Sequence, residues 1–218
     1  MFYDRRDAGR ALADLVGTLP DLHNAIVLAL PRGGVPVACE VARACNLPLD
    51  VLMVRKLRAP GQPELAIGAV AGGIVAVNPD LLDAFHISQE KLHALIAHER
   101  QEIARRELAY RDGAPQLPID GRTAILIDDG LATGATMKAA ARAVCPRAGR
   151  VVVAVPVASA AACRDLENEA DRVLCLSTPE DFESVGQFYR DFNPITDDQV
   201  RALLAESRTR PQSSPLKP

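Results

Sequence analysis

Short, mostly apolar runs of residues constrain the fold of this chain more than any other feature. They fall at 26–30, 50–54, 124–127, 150–155 and 172–176, and helical patterns separate most of them. A strand that is apolar at every position is buried on both faces, which is typical of a parallel sheet covered by helices. We therefore predict an α/β fold, with a Rossmann-like, mostly parallel sheet, helices on both faces, and ligands at the carboxyl ends of the strands.

The 218 residues suit a single domain, which we predict over 1–206, followed by a disordered polar tail at 207–218. Residues 79–112 are dense in charge, and their apolar residues recur every three or four positions, which predicts one or two inserted helices. Ser88 could cap a helix that starts at Gln89. Residues 180–204 mix aromatic and acidic residues and end in a predicted helix from about residue 196.

Two further segments lie between the second apolar run and the insertion. The stretch 56–63 contains two prolines and a glycine, which favours a loop. Residues 65–77 predict two short strands that meet at Gly72 and Gly73. A helix over 4–19 is indicated by Ala8, Leu12, Leu15 and Leu19 at helical spacing.

Composition excludes several classes of function. The net charge of −3 argues against a broad nucleic-acid surface. Five cysteines show no CxxC pair and no His/Cys ladder, which fits reduced thiols and argues against zinc. The charged start of the chain lacks the apolar core of a signal peptide, and no apolar run is long enough to cross a bilayer. We therefore expect a cytoplasmic protein without membrane contacts.

The segment 124–136 carries most of the chemical information. Four apolar residues are followed by Asp128 and Asp129, then by a turn of small residues with two threonines, and then by a helix. A helix N-terminus offers backbone N–H groups to a phosphate, and small residues allow the phosphate to approach closely. The two carboxylates can accept hydrogen bonds from the vicinal hydroxyls of a ribose. The alternative interpretation of this string is a simple helix cap.

This string resembles the phosphoribosyl-pyrophosphate signature of the type I phosphoribosyltransferases, whose substrate, 5-phosphoribosyl-1-pyrophosphate, is abbreviated PRPP. The strings LALPRGGVPVA, PGQPELAIGAVA and FxxVGQFYxDF resemble a bacterial subgroup of stand-alone phosphoribosyltransferase-domain proteins. The resemblance covers roughly residues 20–180. It implies PRPP binding by Asp128, Asp129, Ala132, Thr133, Gly134, Ala135 and Thr136.

The resemblance also implies a pyrophosphate site in the turn after the first strand, where such enzymes often have a cis peptide before a residue other than proline. Arg32, Gly33 and Gly34 stand at that turn. Residues 56–64 are similar in position to the family's mobile loop, so Arg55 and Lys56 are the further pyrophosphate candidates, with ordinary exposed charges at a strand end as the alternative. We expect Arg32 and Lys56 to be catalytic.

The resemblance also implies a variable hood that recognises the acceptor, for which residues 180–204 are the C-terminal candidate. We further expect Phe188 and Tyr189 to stack on the acceptor and Asp191 to assist Mg²⁺, although packing at the sheet edge is the alternative for these aromatic rings.

The predicted function is transfer of the ribose 5-phosphate group of PRPP to an undetermined nitrogen acceptor, with a nucleobase as the leading candidate, and release of pyrophosphate. Some purine-salvage members of the family have an aspartate where this chain has Ala132, which puts hypoxanthine or guanine salvage in doubt. A PRPP-binding regulatory protein without turnover stays open as an alternative. A hydrolase with Asp128 as nucleophile lacks its second acid, because position 130 is glycine. The oligomeric state, for which a homodimer is one alternative, is also open.

Overall fold

The computed structural model describes the backbone of residues 1–71 and 74–209, and the side chains of those residues except 63 and 64. Gly72, Gly73 and residues 210–218 lie outside the described residues. The predicted meeting point of two strands at Gly72 and Gly73 therefore also lies outside them, as does most of the predicted tail. No helix in the described ranges is long and apolar enough to cross a membrane.

A five-stranded sheet forms the centre of the fold. Its strands are β1 (Ala25–Ala29), β2 (Leu49–Val51), β6 (Thr123–Ile127), β7 (Arg150–Val157) and β8 (Arg172–Ser177). They lie in the order β2-β1-β6-β7-β8, and all their pairings are parallel. This confirms the predicted parallel sheet.

Seven α-helices are present in the described ranges. Their bounds are α1 (Arg5–Val16), α2 (Gly34–Ala44), α3 (Pro79–Ala84), α4 (Gln89–Arg111), α5 (Ala135–Val144), α6 (Ala160–Leu166) and α7 (Asp197–Thr209). The inserted helices at 79–112 are thus confirmed as α3 and α4. The predicted cap is also confirmed, since the Ser88 hydroxyl accepts a hydrogen bond from the Lys91 N–H. Helix α7 continues through residues 207–209, so the prediction of disorder was wrong for these three residues.

Both faces of the central sheet are buried, and the side chains of each strand alternate between them. Val27 and Ala29 of β1 pack in one apolar cluster with residues of α1, α2 and α7. Ile26 and Leu28 pack in a second cluster with residues of α5 and α6. Burial of apolar surface stabilises the fold by about 25 cal/mol per Å², which explains why β1, β6 and β7 are almost entirely apolar. Polar groups that act on a ligand are therefore confined to the strand ends.

The segment 56–63 is not the loop that its prolines predicted. It belongs to an antiparallel sheet of β3 (Val54–Ala59), β4 (Gln62–Ala71) and β5 (Ile74–Val77). Pro60 and Gly61 form only a two-residue turn, and Gly61 takes the positive φ of 78° that such a turn needs. The proline at position 60 thus lies between the strands, where no ladder hydrogen bond is required of it. This hairpin packs against α5.

A buried ion-pair network joins the end of α4 to the central sheet. The Arg111 guanidinium donates to Asp50 and Glu107, both at 2.8 Å, and to the Val51 carbonyl oxygen at 3.0 Å. The three charged side chains are each less than a tenth exposed. The charged insertion therefore contributes two buried charges to the core of the protein, Glu107 and Arg111.

We predict that Arg111→Met destabilises the protein by about 3–5 kcal/mol, because it leaves the carboxylates of Asp50 and Glu107 buried without their partner. Arg105→Met is the matched control on the same helix, since Arg105 pairs with Glu102 at the surface and should matter little. Urea unfolding followed by circular dichroism measures both variants. Equal midpoints for the two would show that the buried network contributes nothing to stability.

Candidate functional site

The acid pair lies at the carboxyl end of β6, the middle strand of the parallel sheet. Asp128 and Asp129 follow the last strand residue directly, and both are only partly exposed. The Asp128 Oδ1 atom accepts a hydrogen bond from the Asp129 N–H at 2.9 Å. The carboxyl ends of the strands are the usual ligand-binding edge of such a sheet.

The turn after the acid pair presents a helix N-terminus at the same edge. Gly134 precedes α5 with a φ of +65°, which is favourable for glycine. The Thr133 hydroxyl accepts from the Ala135 N–H at 3.4 Å. From the start of α6, the Ser159 hydroxyl donates to the Ala132 carbonyl oxygen at 2.7 Å and fixes the turn. The first N–H groups of a helix have no partner within it, so this turn is suited to an anion.

The turn after β1 packs directly on the acid pair. A Cβ added to Gly33 would lie 2.0 Å from Asp129 Oδ2, and one added to Gly34 would lie 2.8 Å from the Asp128 Cα atom. Glycine is required at both positions because a side chain would separate the two turns. The cis peptide is the Pro31–Arg32 bond. The predicted glycine turn and the acid pair are therefore brought together as one site.

Arg5, from the start of α1, neutralises part of the charge of this site. Its Nε atom donates to Asp129 Oδ2 at 2.7 Å, and the residue is 8% exposed. Burial raises the pKa of Asp128 well above its usual value, and the neighbouring Asp129 charge adds to the rise. Burial also raises the pKa of Asp129, while Arg5 opposes that rise. The structure thus holds two adjacent carboxyl groups in a poorly solvated position.

The β3–β4 hairpin brings basic side chains to the turn before α5. Arg55, Lys56 and Arg58 line a cavity of about 550 Å³ together with Thr136 of α5 and Glu99 of α4. Arg55 donates to Glu99 at 2.6 Å, so one carboxylate already compensates part of this positive charge. The prediction that Arg55 and Lys56 approach the phosphate turn is consistent with this shared cavity, although a hairpin rather than a loop carries them.

Arg32 extends in a different direction from the hairpin cations. Its Nη1 atom lies 3.7 Å from Asp197 Oδ1 at the start of α7, and its side chain is 53% exposed. The Tyr110 hydroxyl donates to the same carboxylate oxygen at 2.7 Å. Burial and this contact raise the pKa of Tyr110 to about 12. An exposed ion pair is weak, so Arg32 can leave Asp197 at little cost.

The predicted acceptor residues belong to an aromatic cluster of the hood. The Tyr189 ring is 6% exposed and stacks on Phe192 with centroids 5.0 Å apart. Its hydroxyl donates to the Asp129 carbonyl oxygen at 2.6 Å. Phe188 packs against Phe182. The structure thus follows the packing alternative for Tyr189, and its ring has little surface left for a planar ligand.

Asp191, which was predicted to assist a metal, is exposed and accepts two hydrogen bonds from Asn193 at 2.7 and 3.2 Å. Among the described residues there is no group of three or more His, Cys, Asp or Glu side chains that could hold a metal ion. The three histidines of the insertion, His86, His93 and His98, are exposed.

Sequence reasoning missed Arg5 and Ser159. Arg5 stands three residues before Ala8 and seven before Leu12, so it continues the apolar stripe of α1 toward the core. That spacing was the available signal, since a basic residue on a buried helical face needs a partner. Ser159 caps α6 by accepting from the Ala162 N–H, but no sequence pattern places its hydroxyl beside Ala132.

The fold and site together describe an α/β protein in which an acid pair and a helix N-terminus lie at the carboxyl ends of the strands, with a basic hairpin beside them. A sequence profile of the phosphoribosyl transferase domain matches residues 3–193. This chain belongs to the type I phosphoribosyltransferase family.

Similar proteins include two from Mycobacterium tuberculosis and one from Thermus thermophilus. Two Mycobacterium tuberculosis proteins, MT0597 of strain CDC 1551 and Rv0571c of strain H37Rv, are provisionally named phosphoribosyl transferases. Each is 45% identical over 206 residues, which is 94% of this chain and 46% of the relative. The chain thus spans about half the length of these curated relatives. The crystal structure of TT1426 from Thermus thermophilus is 46% identical with a TM-score of 0.84, covering 94% of this chain and 98% of that one.

We predict that Asp128→Asn raises the free energy of unfolding at neutral pH. A carboxyl group with a raised pKa in the folded state costs stability once the pH exceeds its unfolded-state pKa, and the amide removes this cost. The gain should disappear as the pH falls below about 4, because both states of the wild type are then protonated. Urea unfolding at several pH values measures the gain, with exposed Asp83→Asn as control. A uniform loss of stability would contradict the assignment.

Proposed function

We propose that this chain is a phosphoribosyltransferase that transfers the ribose 5-phosphate group of PRPP to a nitrogen acceptor and releases pyrophosphate. The observation that carries the proposal is the meeting of three groups at one sheet edge. The acid pair suits the ribose hydroxyls, and the turn 132–136 suits the 5′-phosphate. The hairpin supplies cations for the pyrophosphate.

The hairpin matters because loss of pyrophosphate leaves positive charge on the anomeric carbon and negative charge on the leaving group. Oxocarbenium-like states of this kind also occur in glycoside hydrolysis. Preorganised cations stabilise the charge that develops on the departing oxygens. Arg55, Lys56 and Arg58 line the same cavity as Thr136, and therefore lie beside the turn proposed for the 5′-phosphate. Lys56 also lines a second cavity that includes Ala135 of that turn.

The described residues do not fit a protein-built magnesium site. Asp191 is engaged with Asn193, and no acidic cluster accompanies it in the described ranges. Magnesium is often held largely by substrate phosphates and water. We therefore propose that any Mg²⁺ enters with PRPP, and we derive no step of the reaction through it. The assays below include Mg²⁺ for this reason alone.

A PRPP-binding regulatory protein is the second candidate. Ala132 stands where some purine-salvage members of the family have an aspartate that assists the acceptor. Asp129 already pairs with Arg5, an arrangement that is compatible with binding of the ribose without turnover. Ligand binding is common to both candidates, and release of pyrophosphate distinguishes them.

We predict that calorimetry with PRPP and Mg²⁺ detects binding to the wild-type protein. The double variant Asp128→Asn, Asp129→Asn should bind far more weakly, because neutral amides accept weaker hydrogen bonds from the ribose than carboxylates do. Asp83→Asn is the control for charge removal. A panel of nucleobases is then added, and pyrophosphate is assayed.

Binding with pyrophosphate release would establish the transferase and name an acceptor. Binding without release from any acceptor would favour the regulatory candidate. Absence of PRPP binding to the wild type would refute the proposal. The segment 124–136 would then be interpreted as a simple helix cap.

We predict that Arg32→Ala lowers kcat on the order of a hundredfold but changes the Kd of PRPP by only a few-fold. The reason is that Arg32 would contact the pyrophosphate most strongly as it departs, after leaving its weak pair with Asp197. Single-turnover kinetics and calorimetry measure the two quantities separately. Arg172→Ala is the control, because Arg172 is exposed at the amino end of β8, whereas the acid pair lies at the carboxyl ends of the strands. Equal losses in kcat and affinity would refute a role for Arg32 in the departure step.

A further inference from the structure

A strap formed by the two ends of the fold crosses the acid pair. It consists of residues 2–5 and residues 188–193. The Phe2 N–H donates to the Phe188 carbonyl oxygen at 2.8 Å, and the Asp191 N–H donates to the Tyr3 carbonyl oxygen at 2.8 Å. These backbone bonds fix the start of α1 against the hood, so Arg5 enters the site in a defined position.

The Arg5 guanidinium is held on three sides. Its Nε atom donates to Asp129 Oδ2 at 2.7 Å, and its Nη1 atom donates to the Asn193 carbonyl oxygen at 2.9 Å. The guanidinium carbon lies 3.9 Å from the centre of the Phe192 ring, which is a cation–π contact. A planar fork makes these contacts together, whereas a lysine ammonium would keep only part of them.

The same strap holds the backbone of the acid pair. The Tyr189 hydroxyl donates to the Asp129 carbonyl oxygen at 2.6 Å, while Arg5 holds the Asp129 side chain. The backbone of Gly33 closes the other side, since a Cβ there would lie 2.0 Å from Asp129 Oδ2. The Asp129 carboxylate is therefore oriented by α1, by the hood and by the turn after β1.

We propose that Arg5 is a positioning residue of the PRPP site, which keeps the Asp129 carboxylate oriented and charged for the ribose hydroxyls and links it to the hood. This inference rests on the proposed function. A carboxylate has two acceptor oxygens, so the bond from Arg5 to Oδ2 is compatible with a hydroxyl bound at Oδ1. The role is one of positioning, because Arg5 acts through Asp129.

The pH dependence follows from the groups that face Asp129. They are Asp128 in the same turn, Arg5 from α1 and Tyr189 from the hood, while the turn before α2 contributes the Gly33 backbone. Burial raises the pKa of Asp129, and Arg5 opposes this rise. Without Arg5 the pKa of Asp129 rises further. On acidification the carboxylate is therefore protonated at a higher pH than in the wild type. PRPP affinity should then also decline at a higher pH.

The test is calorimetry of PRPP with Mg²⁺ against wild type, Arg5→Ala, Arg5→Lys and the control Arg10→Ala, from about pH 5 to about pH 8.5. Arg10 lies on the same helix and is exposed, with a 3.4 Å pair to Asp7. We expect Arg5→Ala to weaken binding at least tenfold, about 1.4 kcal/mol, at neutral pH and to shift the decline in affinity to higher pH. Arg5→Lys should keep the wild-type pH profile and recover only part of the affinity.

Thermal unfolding of each variant at each pH identifies the conditions in which it is folded. If Arg5→Ala does not fold, Arg5→Lys carries the test, and wild-type affinity in that variant would overturn the inference. The inference would also be overturned if Arg5→Ala bound PRPP as tightly as Arg10→Ala does. Binding by Arg5→Ala that is tighter than that of the wild type would overturn it too, because Arg5 would then compete with the ribose. Absence of PRPP binding to the wild type would instead refute the proposed function together with this inference.

Discussion

Burial of two adjacent carboxyl groups at the end of the central strand is the constraint on which the site depends. Each loses hydration, so the pKa of each is raised and their charges must be compensated nearby. Arg5 compensates the charge of Asp129. For this contact the start of α1 must lie at the carboxyl ends of the strands, next to the acid pair. The hood then packs on that arginine through Phe192 and Asn193. The start of α1 and the hood are in this way both packed against the acid pair.

The small residues around the acid pair follow from the same crowding. Gly33 and Gly34 leave no room for a side chain against Asp128 and Asp129, so the turn after β1 and the turn after β6 form one surface. Catalytic groups must be held within fractions of an ångström, and close backbone packing provides this rigidity. The basic hairpin lies beside the turn before α5, supported by α5 and by the pair between Arg55 and Glu99.

Prediction from the sequence succeeded where the information is local. The strands of the parallel sheet, the Ser88 cap and the turn 132–136 depend on neighbours within a few residues, and each was identified from such neighbours. Prediction failed for 56–63, because two prolines and a glycine favour a loop locally, whereas the strands are stabilised by pairing across the turn. The chain itself does not show that β3 and β4 pair, since a ladder is stabilised by residues of another strand.

The sequence by itself determined the fold class, the family resemblance and the candidate site from Asp128 to Thr136. Strand burial and turn formation depend on residues that are neighbours in the chain, so both can be recognised from the sequence. Only the tertiary structure decided which charges meet. Arg5 and Asp129 are 124 positions apart, and Arg111 and Asp50 are 61 apart. Tyr189 changed from a candidate ligand contact to a support for the Asp129 backbone. Such pairs form because buried charges and polar groups must find partners, and the folded chain alone sets which partners are within reach.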